Sequence, residues 1–239
     1  MRILIVGDFS SFGRELRNGF INCGIEVDLI SFGDYWKNIK SGSYDLKYNY
    51  NNILARICSG IRNRFFLNNF IKTHKNYYDY ILVMSIEFLD LKNYDLKKKL
   101  KLTYSIKKLK DMLKNIKNIY LIAAGNDFFL FNNLENFLQD KGYYIVENSK
   151  IKVQYMLSRK ERERLLYGIK GVIPIMYEYA EAYRHSEFGR NNKVKAVIPL
   201  PITVKKIKFE NILKDKIVIF HGINREDVKG TKYIRKAMK

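Results

Sequence analysis

"MRILIVGDFSSFGRELRNGFINCGIEVDLISFG" (Met1–Gly33) decides the fold. Arg2–Gly7 is a short, continuous apolar run that ends in glycine, the pattern of a strand buried on both faces of a parallel sheet. Gly13–Gly24 places Leu16, Phe20 and Cys23 on one helical face and stops at Gly24. Glu26–Gly33 is a second apolar run. Strand, helix and strand within about thirty residues is the size of a βαβ crossover.

The same alternation continues down the chain. The patterns predict strands over Tyr78–Ser85, Asn118–Asp127, Gly171–Met176 and Lys193–Ile202. They predict helices over Asn52–Thr73, Leu100–Ile116, Asn133–Lys141, Ser158–Gly168 and Tyr177–Ser186. In Asn52–Thr73 the apolar stripe is read as Leu54, Ile57, Ile61, Phe65 and Phe66. Tyr35–Tyr50 is polar and aromatic and reads as loop. The expected class is therefore α/β, a Rossmann-like parallel sheet with helices on both faces.

Pro199 and Pro201 break the pattern, and a lysine-rich stretch follows. Then "KIVIFHGINREDVKGTKYIRKAMK" (Lys216–Lys239) reads as a fresh strand, a glycine turn and the start of a helix. The expected organisation is a first domain at 1–201, a linker at 202–215, and the first strand and helix of a second, incomplete Rossmann-like domain at 216–239.

The 239 residues are 47% hydrophobic and 28% charged, enough apolar content for a core and against disorder. Cys23 and Cys58 are too few for a disulfide framework and lie in apolar helical patterns, which predicts buried free thiols. No apolar run reaches the roughly 20 residues of a membrane span, and the N-terminal run is too short for a signal peptide. A cytoplasmic chain is expected, with attachment to the inner membrane face as an option.

The net charge is +20, from 44 Lys and Arg against 24 Asp and Glu. That excess either serves an anionic partner or reflects the Lys-, Asn-, Ile- and Tyr-rich composition of an AT-rich coding sequence. No compact arginine–aromatic motif is present, so nucleic acid is not an expected partner. Lysines crowd Lys97–Lys114, and Arg56–Lys75 is a basic helix; either suits an anionic membrane. His74, His185 and His221 do not form a metal-spaced set with the cysteines, and no metal is expected. His185 either faces the cleft or lies in solvent.

In open parallel sheets, ligands gather beyond the carboxyl ends of the strands. Three such ends carry candidates. Gly7, Asp8, Ser10 and Ser11 lie in "GDFSSFG", where hydroxyls and free amides can hold an anion or a sugar hydroxyl. The same stretch also reads as an ordinary strand–helix turn. It is not GxGxxG, which argues against a nicotinamide oxidoreductase. Gly125, Asn126 and Asp127 follow the fourth strand and either bind a polar substrate or cap a helix. Gly222, Arg225, Lys229, Gly230 and Thr231 combine a close-approach glycine, two cations and helix-start amides, a set suited to a pyrophosphate.

The Met1–Asp34 stretch resembles the opening of bacterial glycosyltransferases of the GT-B fold, of the capsule and surface-polysaccharide type. "GVIPIMYEYAEAYRHS" and "VIPLPI" resemble the end of their acceptor-side domain. Lys216–Met238 resembles the first strand, loop and helix of their nucleotide-sugar domain. The resemblance implies a retaining, metal-independent enzyme without cofactor. Such an enzyme moves a sugar from a nucleotide-sugar donor to a surface glycan or lipid-linked acceptor. It implies a basic pair that neutralises the departing diphosphate. Lys229 matches the lysine of that pair. Ile223 stands where its arginine usually does, and Arg225 is the nearest arginine. The family's acidic donor-binding pair has no counterpart, so the chain alone is expected to lack a complete donor site. The alternative expectation is a non-catalytic Rossmann-like module that binds an anionic glycolipid or a protein partner.

Overall fold

The computed structural model describes residues 1–31, 40, 43–46, 51–74, 76–84, 118–124, 163, 166–203, 220–222 and 230–238. Six strands form one sheet: β1 (Arg2–Val6), β2 (Glu26–Ser31), β3 (Tyr44–Asp45), β4 (Tyr80–Val83), β5 (Ile119–Ala123) and β6 (Gly171–Pro174). Their order is β3-β2-β1-β4-β5-β6, and every pairing is parallel. This is the strand order of the doubly wound, Rossmann-like class.

The strands are apolar because both faces are covered. Ile3, Leu4, Ile5 and Val6 of β1 are buried, as are Ile81, Leu82 and Val83 of β4 and Leu121, Ile122 and Ala123 of β5. Helix α1 (Phe12–Asn22) lies on one face, where a methyl group placed on Gly13 would come within 3.2 Å of Leu29 Cδ1. Helix α2 (Ile53–Thr73) lies on the other. Asp28, the neighbour of Leu29, points the opposite way and accepts a hydrogen bond from the Tyr78 hydroxyl at 2.7 Å. Tyr78 in turn stacks on Phe70 of α2, with ring centroids 6.2 Å apart. Asn52 caps α2, accepting from the Ala55 N–H at 2.7 Å.

Beyond β6 the chain forms α3 (Tyr177–Arg184) and α4 (Glu187–Arg190). The single helix expected over Tyr177–Ser186 thus ends at Arg184. Ser186 caps α4 instead, its hydroxyl accepting from the Phe188 N–H at 3.2 Å. The last described helix is α5 (Thr231–Ala237). The helices expected at Leu100–Ile116 and Asn133–Lys141, most of Ser158–Gly168, and the strand expected at Lys216–Phe220 lie outside the described residues, except Phe220, which is exposed and outside any strand.

Three expectations are corrected. The stretch 193–202 is not a strand of the sheet. Among the described residues it makes a single parallel bridge, Val194 to Val172, and then spaced hydrogen bonds such as Ile198 N–H to the Pro174 carbonyl at 3.0 Å. Pro199 and Pro201 have no N–H with which to extend a ladder. The sixth strand is Tyr44–Asp45, within the stretch read as loop. Finally, both cysteines are exposed. Cys23 sits at the cap where α1 has already ended, and Cys58 lies on the outer side of α2.

The amino edge of the sheet is tied to itself. Arg2 Nε donates to Glu26 Oε2 at 3.1 Å, and its guanidinium lies 4.4 Å from the centre of the Tyr77 ring. The Tyr77 hydroxyl also donates to Glu26 and, with Arg2, holds that carboxyl below its ordinary range. Tyr78, further in, is pushed well above the ordinary tyrosine range, first by burial and then by its bond to Asp28. The folded state therefore keeps the Tyr78 proton after an unfolded chain has released it. Stability from this residue is complete below about pH 10 and declines above it. Tyr78→Phe is expected to cost about 1.5 kcal/mol at neutral pH, because Asp28 loses a donor. That deficit should shrink as pH rises above about 10, since phenylalanine has no proton to lose. Urea midpoints of both proteins across the alkaline range check this; a constant deficit would contradict it.

Candidate functional site

Strand order reverses at β1: β2 lies on one side of it and β4 on the other. A crevice opens between the connections that leave such a switch point in opposite directions. The first of these connections is Gly7–Ser11, directly beyond the carboxyl end of β1. The second begins at Met84, whose N–H donates to the Val6 carbonyl at 2.9 Å.

The loop is closed from within. Asp8 is buried, and its Oδ1 accepts from the Gly13 N–H at 2.8 Å. The Phe12 N–H donates to the Phe9 carbonyl at 2.8 Å. Gly7 has φ +96°, and a side chain on Gly13 would come within 2.9 Å of the Gly7 carbonyl oxygen. Both glycines are therefore required by the turn itself. Asp8 is the tie of the loop, a structural use of a residue that the sequence offers as a ligand contact.

Ser10 and Ser11 are different. Both adopt left-handed backbone conformations, with φ 49° and 68°. For residues with a β-carbon this costs about 1–2 kcal/mol each. Ser11 stands at the N-cap of α1 but makes no capping bond with its side chain. Strained, non-glycine residues at a strand's carboxyl end are characteristic of binding and catalytic loops.

A second segment reaches the same place from the far edge. Ile198 is tied to the carboxyl end of β6 by its N–H to Pro174. Five residues later the Thr203 N–H donates to Glu15 Oε2, in the first turn of α1, at 3.1 Å, and the Thr203 hydroxyl bonds the same carboxylate. From β6 to β1 is three strand spacings, about 14 Å. Five extended residues span about 17 Å. Residues 199–203 therefore run along the carboxyl edge of the sheet, over β5 and β4, and end beside the Ser10–Ser11 loop. Glu15 and Thr203 were not among the residues singled out from sequence. The two prolines that keep this segment extended were its only signal.

No family model, curated protein or solved structure matches this chain. The site is therefore read from its own geometry. Among the residues singled out from sequence, the structure gathers Gly7, Asp8, Ser10 and Ser11 at the switch point. Gly125, Asn126 and Asp127 lie outside the described residues, although Ala123 and Ala124, just before them, end β5 at the same edge.

In the tail, Gly222, Gly230 and Thr231 are described, and Arg225 and Lys229 are not. His221 Nε2 and Thr231 Oγ1 are 3.1 Å apart, which brings residue 221 and the helix start together. Thr231 is buried, and Gly230 is in the left-handed region at φ +66°. The Thr231 hydroxyl thus faces His221, while Gly222 is open to solvent. His185 is half exposed on α3, 3.7 Å from Glu181, and so takes the solvent-facing alternative. Among the described residues no cluster of three or more His, Cys, Asp or Glu could hold a metal, and no helix is long and apolar enough to cross a membrane.

Proposed function

We propose that this chain supplies the acceptor-binding side of a glycosyltransferase built from two Rossmann-like domains. The observation that carries the reading is the pair of strained serines, Ser10 and Ser11, at the switch point of a 3-2-1-4-5-6 parallel sheet. A dinucleotide site at this position would carry glycines for close approach of a pyrophosphate. This loop instead presents two hydroxyls, each able to donate and accept. That is the chemistry that matches a sugar hydroxyl.

In this reading Ser10 and Ser11 orient an acceptor glycan, bounded on the far side by residues 199–203. The donor diphosphate belongs to Gly222, Arg225, Lys229, Gly230 and Thr231, where cations and amides offset the charge that develops as the nucleotide leaves. The acceptor is a surface glycan or its lipid-linked precursor, and neither metal nor organic cofactor is called for.

Calorimetry with three panels tests the proposal: soluble oligosaccharides, nucleotide sugars, and the nicotinamide dinucleotides. At least one oligosaccharide should bind, and Ser10→Ala with Ser11→Ala should weaken it by about 1–3 kcal/mol through lost hydrogen bonds. Tight binding of a nicotinamide dinucleotide, or oligosaccharide binding indifferent to both serines, would overturn it.

A further inference from the structure

Helix α2 is built the wrong way round for a helix whose outer side faces water. Its inward positions include Ser59 and Asn63, buried beside Leu67 and Phe70. Its outward positions include Leu54 at 71% exposure, Ile61 at 53% and Phe65 at 72%. Leu54, Cys58, Ile61 and Phe65 follow one another at steps of four, three and four residues, which places them in one stripe along the helix. Lys72 continues that stripe and is exposed. A surface helix normally turns such a stripe towards the core.

The charges say what fits the stripe. Ile53–Thr73 contains Arg56, Arg62, Arg64 and Lys72 and no acidic residue at all. Pairing with α2 of a second copy would bring basic helix against basic helix, which is unfavourable. An occupant with apolar depth and negative charge satisfies both features. A bilayer rich in anionic lipid has both, and a basic helix with exposed leucine, isoleucine and phenylalanine lies in its interface. The chain's net charge of +20 draws it to the same surface.

We propose that α2 docks the protein on an anionic membrane surface, with Leu54, Ile61 and Phe65 entering the headgroup boundary and Lys72, on the same stripe, drawn to lipid phosphates. This proposal does not depend on the glycosyltransferase reading. The two exposed cysteines provide the test. Cys58 lies within the stripe, and Cys23 lies at the end of α1, on the opposite face of the sheet. A polarity-sensitive fluorophore is attached to Cys58 in a Cys23→Ser protein, and to Cys23 in a Cys58→Ser protein.

With phosphatidylglycerol-rich vesicles the Cys58 probe should shift to the blue and the Cys23 probe should not, and added salt should reverse the shift. Ile61→Ser with Phe65→Ser, both at exposed positions, should lower vesicle partitioning about tenfold or more. Four results would overturn the proposal: no shift, an equal shift with pure phosphatidylcholine, a shift that needs only high protein concentration, or one produced by an acidic amphipathic peptide but not by vesicles. The third would identify a second copy as the occupant and the fourth a protein.

Discussion

Gly189→Ala is expected to destabilise the protein by about 3 kcal/mol or more, among the largest effects of any single methyl group. Gly189 packs against the backbone at the end of α3. A β-carbon there would stand 1.7 Å from the Arg184 carbonyl oxygen and 2.4 Å from its carbon. Neither atom belongs to a side chain that can swing away. The corner between α3 and α4 is also held by the Ser186 hydroxyl, which donates to the Tyr183 carbonyl at 2.6 Å. It carries Tyr183 and Phe188, both fully buried and packed edge to face at 5.7 Å. The methyl group must force the two helices apart and loosen both rings. For a domain of this size the melting temperature should fall by about 6–12 °C. A fall of less than about 2 °C would mean that the corner relaxes without disturbing its core.

The second large effect has the opposite sign. Replacing both Ser10 and Ser11 with glycine should make the protein at least as stable and weaken its site. Relief of two left-handed conformations gains about 1–2 kcal/mol at each position. The added freedom of the unfolded chain removes about 0.5–1 kcal/mol at each. The net gain is about 0–1 kcal/mol for the pair at the modest end of the first range and about 2–3 kcal/mol at its upper end. Loss of both hydroxyls should meanwhile lower acceptor affinity by tenfold or more, on the order of 1.4 kcal/mol for each factor of ten. A protein that gains stability while losing binding has kept strain for function. Denaturant unfolding and calorimetry on the same variant read the two quantities. Lower stability with binding unchanged would mark the loop as a plain connection.

Much of the sheet is legible in the sequence because strands buried on both faces are continuous apolar runs. β1, β2, β4, β5 and β6 all lie within the runs expected for them. β3 could not be read: two residues, Tyr44 and Asp45, carry no period, and their place beside β2 is set by pairing. The stripe of α2 misled for a physical reason. The sequence offers two stripes, and the more apolar one, with Leu54, Ile61 and Phe65, faces outward. Hydrophobic periodicity assigns the apolar face to the core, so it fails here, where the more apolar face points outward. The buried expectation for Cys58 failed with it.

The site divides in the same way. Strand, glycine turn and helix start could be placed from Gly7 and Gly13, but the left-handed conformations of Ser10 and Ser11 could not. They follow from the tie between Asp8 and Gly13, not from propensity. The contact between Glu15 and Thr203 spans 188 residues of chain, far beyond local pattern.

The central claim is that ligands enter at the carboxyl ends of β1 and β4. Amide chemical-shift mapping during titration with an oligosaccharide panel tests it most directly. The predicted result is a cluster of shifts on Gly7, Asp8, Ser10, Ser11, Gly13 and Met84, extending to Thr203. Shifts centred instead on Arg2, Glu26 and Tyr77, at the opposite edge of the sheet, would contradict it.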